Sequence, residues 1–204
     1  MQQLIRALQE VLGPGGVLTG DAARSRSGSW GVMHCDAPAV LRPRSTGEVA
    51  DAIAAELRQG GRQVDVRQLA EVGALDHYDC VVIGAPMIFG WHAAARRYIR
   101  RNRKLLAGKH VAYFACALRL TRDGEETTTD IPLFIDPALV SQPQKSGSLN
   151  FKERFTTIGH YLTPILRSAP DIKPVSMAFF NGKLDLRRLK WWQVLFVLGV
   201  VQGK

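Results

Sequence analysis

Hydrophobic residues recur along this chain with two periods, one typical of helices and one typical of strands. Two runs with almost no charged residue, 78–85 and 110–118, predict strands that are buried on both faces. Strands that alternate with amphipathic helices predict βαβ units around a parallel sheet. The predicted strands are 39–41, 64–66, 78–85, 110–118 and 175–180, and the predicted helices are 4–12, 46–59, 92–106, 151–167 and 186–201. The expected fold class is therefore α/β, with a doubly wound, five-stranded parallel sheet.

The same pattern divides the chain into parts. Residues 1–37 start with one amphipathic helix and continue as a stretch rich in Gly, Ser and Arg, which predicts an irregular N-terminal appendage. Residues 38–204 carry the predicted sheet, with a long polar insertion at 121–171. Ligands of open parallel sheets bind at the carboxyl ends of the strands, where the strand order reverses. We therefore expect the loops after the first, third and fourth predicted strands to surround one crevice.

The chain is basic, with a net charge of +9 and a pI near 9.9. Its Lys and Arg residues are scattered along helices, in runs such as Arg96-Arg97 and Arg100-Arg101. There is no zinc-finger spacing, aromatic RNP-like strand or repeated basic block, so we expect no nucleic-acid partner. The basic runs are interpreted as a solvated helix face.

The three cysteines, Cys35, Cys80 and Cys116, form no C-x-x-C pair, which argues against both a disulfide framework and a zinc site. Cys80 and Cys116 lie in apolar runs and are predicted to be buried in strands. The five histidines show no metal-binding spacing, so no metal is expected. A start without a basic segment followed by an apolar one predicts no signal peptide, and we expect a cytoplasmic protein.

Three stretches of the chain carry a family resemblance. They read STGEVADAIAAELRQGGRQVDVR (45–67), HYDCVVIGAPMIFGWHAAARRYIRRN (77–102) and KPVSMAFFNGKLDLRRLKWWQVLFVLGVVQ (173–202). In this order they resemble flavodoxin-domain proteins of the type that includes menaquinone-dependent protoporphyrinogen oxidase. The resemblance implies a flavodoxin-like fold, with FMN as cofactor.

In that family the FMN phosphate lies in a Ser/Thr/Gly loop before the first helix, where backbone N–H groups face the anion. Ser45, Thr46 and Gly47 match the end of that loop. The segment PMIFGW would approach the flavin ring, with Phe89 or Trp91 stacking on it, and the segment ACALR would form a third wall. The residues expected to contact FMN are Arg44, Ser45, Thr46, Gly47, Pro86, Met87, Phe89, Gly90, Trp91, Ala115, Cys116 and Ala117.

The chain departs from the family pattern before Ser45. Leu41-Arg42-Pro43-Arg44 replaces a longer Ser/Lys/Gly loop, and Pro43 removes an amide donor, which leaves Arg42 or Arg44 to supply charge. The preceding residues, LIRALQEVLGPGGVLTGDAARSRSGSW and APAVLRPRSTGEVA, are similar to the start of FAD-linked oxidases of the glycolate-oxidase type. No FAD loop follows, so FAD is not expected, and the hypothesis is a fusion joined near Ser45.

By resemblance, the expected function is an FMN-dependent oxidoreductase that oxidises a porphyrinogen and passes electrons to a quinone. No catalytic side chain is assigned. Two alternatives remain open: a flavodoxin-type electron carrier, and a degenerate fusion that binds no flavin. The predicted last helix, with Trp191 and Trp192 after a basic stretch, suits either the outer layer of the sheet or peripheral membrane contact.

Overall fold

The computed structural model of the protein describes residues 2–13, 15–24, 39–41, 45–87, 90–121, 130–145 and 148–182. The described elements, in chain order, are α1 (Gln2–Leu12), β1 (Val17–Thr19), α2 (Asp21–Arg24), β2 (Ala39–Leu41), α3 (Thr46–Gln59), β3 (Cys80–Met87), α4 (Ala93–Leu106), β4 (His110–Ala117), β5 (Leu120–Thr121), β6 (Leu133–Ile135), a 3₁₀ turn (Pro137–Leu139), β7 (Val140–Ser141), α5 (Phe151–Arg154), α6 (Ile158–Ser168) and β8 (Ser176–Asn181).

The main sheet of the described residues has four strands in the order β3-β4-β8-β6, and every pair is parallel. The β3–β4 ladder is unbroken, from Cys80 opposite His110 to Met87 opposite Ala117. Successive side chains of β4 point to opposite faces of the sheet. Tyr113 and Ala115 therefore pack in the larger hydrophobic core on one face, and Phe114 and Cys116 pack in a smaller core on the other.

Helices cover both faces of this sheet. The larger core contains Ile99 of α4 and Ile165 of α6, together with side chains from all four strands of the sheet. On the opposite face Val49 and Ile53 of α3 pack against Phe114 and Cys116. Helices on both faces of a parallel sheet are the doubly wound arrangement, so the predicted α/β fold class is confirmed.

The N-terminal segment packs onto α3 rather than onto the sheet. Leu8 and Leu12 of α1 meet Ala52 and Ala55 of α3, with Val17 of β1 completing this cluster. Strand β1 pairs antiparallel with β2. Helix α3 is therefore held from two sides, by the sheet through one stripe and by α1 through another.

Two of the five predicted strands are absent from the main sheet. Residues 39–41 form β2, but they pair with β1, and residues 64–66 form no strand. In the flavodoxin strand order 2-1-3-4-5, the second strand hydrogen-bonds only to the first. Once residues 39–41 pair elsewhere, residues 64–66 have no neighbour. The described main sheet therefore has four strands, not five.

Strand β3 consequently has no partner on one side within the described residues. Cys80 is exposed and Val82 is 38% exposed, so the predictions of a buried Cys80 and of a strand buried on both faces are wrong. Ile83, Ala85 and Met87, which alternate with these residues, are buried as expected. The strand has the apolar composition of an internal strand but occupies an edge.

The fourth strand of the sheet comes from the insertion that was predicted to be polar and helical. Strand β6 pairs with β8 through Leu133 opposite Met177 and Ile135 opposite Phe179. The predicted helix 151–167 is two helices, α5 and α6, and the predicted irregular segment 17–38 begins with β1 and α2. The predicted helix 186–201 lies outside the described residues. No helix within the described ranges is long and apolar enough to cross a membrane.

Candidate functional site

The start of α3 is built by Ser45, the N-cap residue. Its backbone is extended (φ −147°, ψ 162°), and its Oγ accepts a hydrogen bond from the amide of Glu48 at 3.2 Å. The amide of Val49 donates to the Ser45 carbonyl at 3.2 Å. Helix geometry gives the preceding amides, those of Thr46 and Gly47, no acceptor within the helix. Two N–H donors at the positive end of the helix dipole are thus available for an anion.

Thr46 joins this helix start to the carboxyl end of β4. Burial raises the pKa of the Cys116 thiol above its usual value, and the neighbouring Thr46 side chain lowers that pKa by less. Val49, in the first turn of α3, packs in one cluster with Cys116. A thiol with a raised pKa stays protonated near neutral pH and is a weak nucleophile. Cys116 is therefore a packed residue that holds the start of α3 against the sheet.

The loop after β3 begins at the same edge of the sheet. Pro86 is exposed, and Gly90 has a φ of +121°, a conformation that side-chain-bearing residues rarely adopt. Residues Met87 and Trp91 form an isolated antiparallel bridge that closes the loop. The two described ends of the loop are therefore held together beside the carboxyl end of β3.

Trp91 does not face this crevice. It is 4% exposed, its Nε1 donates to the carbonyl of Tyr161 at 2.9 Å, and its ring meets Tyr113 edge to face with centroids 5.9 Å apart. A ring enclosed by α6 and β4 cannot stack on a flavin, so the stacking role predicted for Trp91 does not fit. A signal was present in the sequence: Trp91, Ala95 and Ile99 are spaced four residues apart, on one helical stripe.

The remaining expected contacts divide between backbone and side-chain roles. Met87, Ala115 and Ala117 are buried in the larger core, so these residues can offer only backbone groups to a ligand. Arg44 and Phe89 lie outside the described residues. The structure therefore brings together Ser45, Thr46, Gly47, Cys116 and the end of β4, with the loop after β3 at the adjacent strand end.

A close contact between Gly182 and Ala117 at this edge was not predicted from the sequence. The amide of Gly182, just after β8, donates to the carbonyl of Ala117 at 2.7 Å. A Cβ at Gly182 would lie 3.3 Å from the Ala117 oxygen and from Cys116 atoms, so glycine allows this close approach. The neighbouring Asn181 amide donates to Asp136 at 3.2 Å. The Asn-Gly pair after an apolar run was the available sequence signal.

Comparison with known proteins supports the resemblance seen in the sequence. Residues 45–202 match the model of the flavodoxin domain family. No curated protein and no solved structure matched the chain. The similarity of the first 45 residues to FAD-linked oxidases lies outside the matched range and stays a prediction. Because the match spans well over half of the chain and begins at the helix cap described above, the protein belongs to the flavodoxin-domain family.

Proposed function

We propose that this protein is an FMN-binding oxidoreductase that holds the cofactor phosphate at the start of α3. The observation that carries the proposal is the position of the Thr46 and Gly47 amides in the first turn of α3, whose Val49 packs against Cys116 near the carboxyl end of β4. Phosphates bind at helix N-termini because N–H groups and the helix dipole both favour an anion there. Carboxyl ends of parallel strands are where this architecture binds ligands.

The residues of this edge fit the phosphate end of FMN. Gly47 is exposed, and among the described residues a Cβ built there would meet only Ser45 Oγ, at 3.7 Å. Ser45 fixes the direction of the first turn by capping it. Bound FMN would supply one- or two-electron transfer, and the chain would supply binding and orientation. Backbone groups at Pro86 and Gly90 are then the nearest candidates for the ring end.

The substrate and acceptor are narrower parts of the proposal. The resemblance to menaquinone-dependent protoporphyrinogen oxidase favours a porphyrinogen as electron donor and a quinone as acceptor. Contact of the C-terminal apolar segment with a membrane would bring the protein to a quinone pool. These assignments rest on family analogy, because one fold serves many substrates.

A specific observation favours a second candidate, a flavodoxin-like domain that has lost FMN binding. Strand β2 pairs with β1 and not with β3, so the chain does not enter α3 from a central strand of the sheet. A flavodoxin-type carrier is a weaker alternative, since the net charge of +9 would disfavour docking to basic partners.

The test is flavin retention by the purified full chain. The protein is incubated with FMN or with FAD, desalted, and its visible absorption spectrum is recorded. Retained FMN supports the proposal and justifies a porphyrinogen oxidation assay with a quinone acceptor. Retention of neither flavin refutes it and favours the degenerate domain.

Two variants locate the phosphate. Ser45→Ala removes the cap of α3 and should weaken FMN binding by about tenfold, the equivalent of roughly 1.4 kcal/mol. Thr157→Ala is the matched control, because Thr157 caps α6 in the same way, accepting from the His160 amide at 3.1 Å. It should cost similar stability and leave FMN affinity unchanged. Equal losses of affinity from both cap variants would argue against a phosphate at α3.

A further inference from the structure

Helix α4 carries an unusual concentration of positive charge. Its 14 residues, AAARRYIRRNRKLL, contain no acidic side chain. We call its six basic residues the basic arc: Arg96, Arg97, Arg100, Arg101, Arg103 and Lys104. At 3.6 residues per turn their side chains cover roughly 160° of the helix circumference. All six are exposed, and the buried residues Ala95, Ile99 and Leu106 lie on the opposite side.

The charges of the basic arc are almost uncompensated. Among the described residues, Arg103 alone of the six forms an ion pair, with Asp171 at 3.5 Å, and both side chains are about half exposed. A surface pair of this kind is screened and contributes little. The other five guanidinium and ammonium groups have no ion-pair partner within the described ranges. They repel one another along about 12 Å of helix, a cost that an anionic partner would relieve.

We propose that the basic arc docks the protein onto an anionic lipid bilayer. Helix α4 lies along the outside of the sheet with its inner stripe buried, so its charged side chains can all reach one flat surface. Leu105 is 50% exposed in the last turn, at the border of the arc, where it can enter the interfacial region of a bilayer. Each Lys or Arg near an anionic leaflet adds to the attraction. The inference does not depend on flavin binding.

The same helix lacks the features by which nucleic acids are recognised. No aromatic residue lies on the basic arc, so it offers no stacking platform for bases. Its amide side chain, Asn102, is half-buried and donates to the carbonyl of Tyr98 at 3.0 Å, within its own helix. It is therefore not directed outward to read base edges. A convex helix surface that offers only charge suits the flat surface of an anionic bilayer better than the groove of a nucleic acid.

The experiment uses the full chain and two kinds of vesicle, one of phosphatidylcholine alone and one of equal parts phosphatidylcholine and phosphatidylserine. Cosedimentation measures partitioning at low and high salt. The arc variant combines Arg96→Gln, Arg97→Gln, Arg100→Gln and Arg101→Gln, and glutamine preserves helix propensity. The control variant removes the same charge elsewhere, at exposed positions, through Arg6→Gln, Arg62→Gln, Arg67→Gln and Lys173→Gln. Circular dichroism confirms that both variants are folded.

We expect the wild type to bind the anionic vesicles, and we expect high salt to weaken that binding. With the neutral vesicles we expect no salt-dependent binding. At roughly fivefold per charge, the loss of four charges should lower the partitioning of the arc variant by about six-hundredfold. The control variant should retain most of the binding. Equal losses in both variants would show an effect of net charge and overturn the proposal. The proposal would also be overturned if the arc variant bound the anionic vesicles as tightly as the wild type does. It would be overturned too if the wild type bound duplex DNA or RNA more tightly than anionic vesicles at the same salt.

Discussion

Replacing Trp91 tests its placement between α6 and β4 in the core. The substitution Trp91→Phe keeps an aromatic ring but removes the Nε1–H that donates to the Tyr161 carbonyl at 2.9 Å in the buried core. Losing such a hydrogen bond costs about 1 kcal/mol. The smaller ring also leaves a void of about a methyl group or more against Tyr113, which costs about another 1 kcal/mol. The free energy of unfolding should therefore fall by about 2 kcal/mol.

The assay is urea unfolding followed by far-ultraviolet circular dichroism, together with FMN titration of the same variant. In a protein of this size, 2 kcal/mol corresponds to a fall in Tm of about 4–8 °C. Phe151→Leu is a control at an exposed aromatic, 77% accessible, and should change stability by less than about 1 kcal/mol. FMN affinity should be unaffected by either substitution. An unchanged unfolding free energy combined with weakened FMN binding by Trp91→Phe would refute the buried placement and restore the stacking role.

Two further predictions concern the packing of the sheet and the insertion. Gly84→Ala should destabilise the fold by about 1–3 kcal/mol in the same urea assay, because the added Cβ would fall 1.9–2.5 Å from ring atoms of Phe114. Gly73→Ala is the control: its Cβ would have nothing within 4 Å, so stability should change by less than about 0.5 kcal/mol. The pKa of Glu153 is lowered in the folded protein, mainly because its carboxylate accepts hydrogen bonds from the backbone amides of Asn150 and Gln144. A carboxyl with a depressed folded pKa stabilises above its unfolded pKa, and this contribution is lost as pH falls through the folded pKa. Wild type should therefore lose more stability than Glu153→Gln between neutral and acid pH, and a pH-independent difference between the two would contradict this.

Local patterns were sufficient for the elements that carry strong periodic signals. Ser45 or Thr46 was expected to cap α3, and the structure uses Ser45, while α4 runs to the predicted Leu106. Strand β4 matches its prediction to within one residue. These elements are specified by local chemistry: a capping hydroxyl, an apolar stripe of period 3.6, or an uninterrupted apolar run. The flavodoxin family was readable from the same segments.

Strand pairing was not readable in this way. Residues 39–41 were correctly predicted to form a strand, yet their partner is β1 and not the main sheet. Nothing in a three-residue apolar run states which neighbour it will hydrogen-bond to. The edge position of β3 in the described sheet and the exposure of Cys80 follow from that choice of partner, whereas β6 from the insertion joins the opposite edge, beside β8.

The sequence by itself determined the alternation of helices and strands, the cap that opens α3 and the family, because each depends on residues near one another in the chain. Only the tertiary structure decided that Trp91 is buried, that Thr46 meets Cys116 and that Gly182 approaches Ala117. Each of these contacts joins residues from different elements. Their energies depend on which faces the folded sheet presents, and that is a property of the packed chain as a whole.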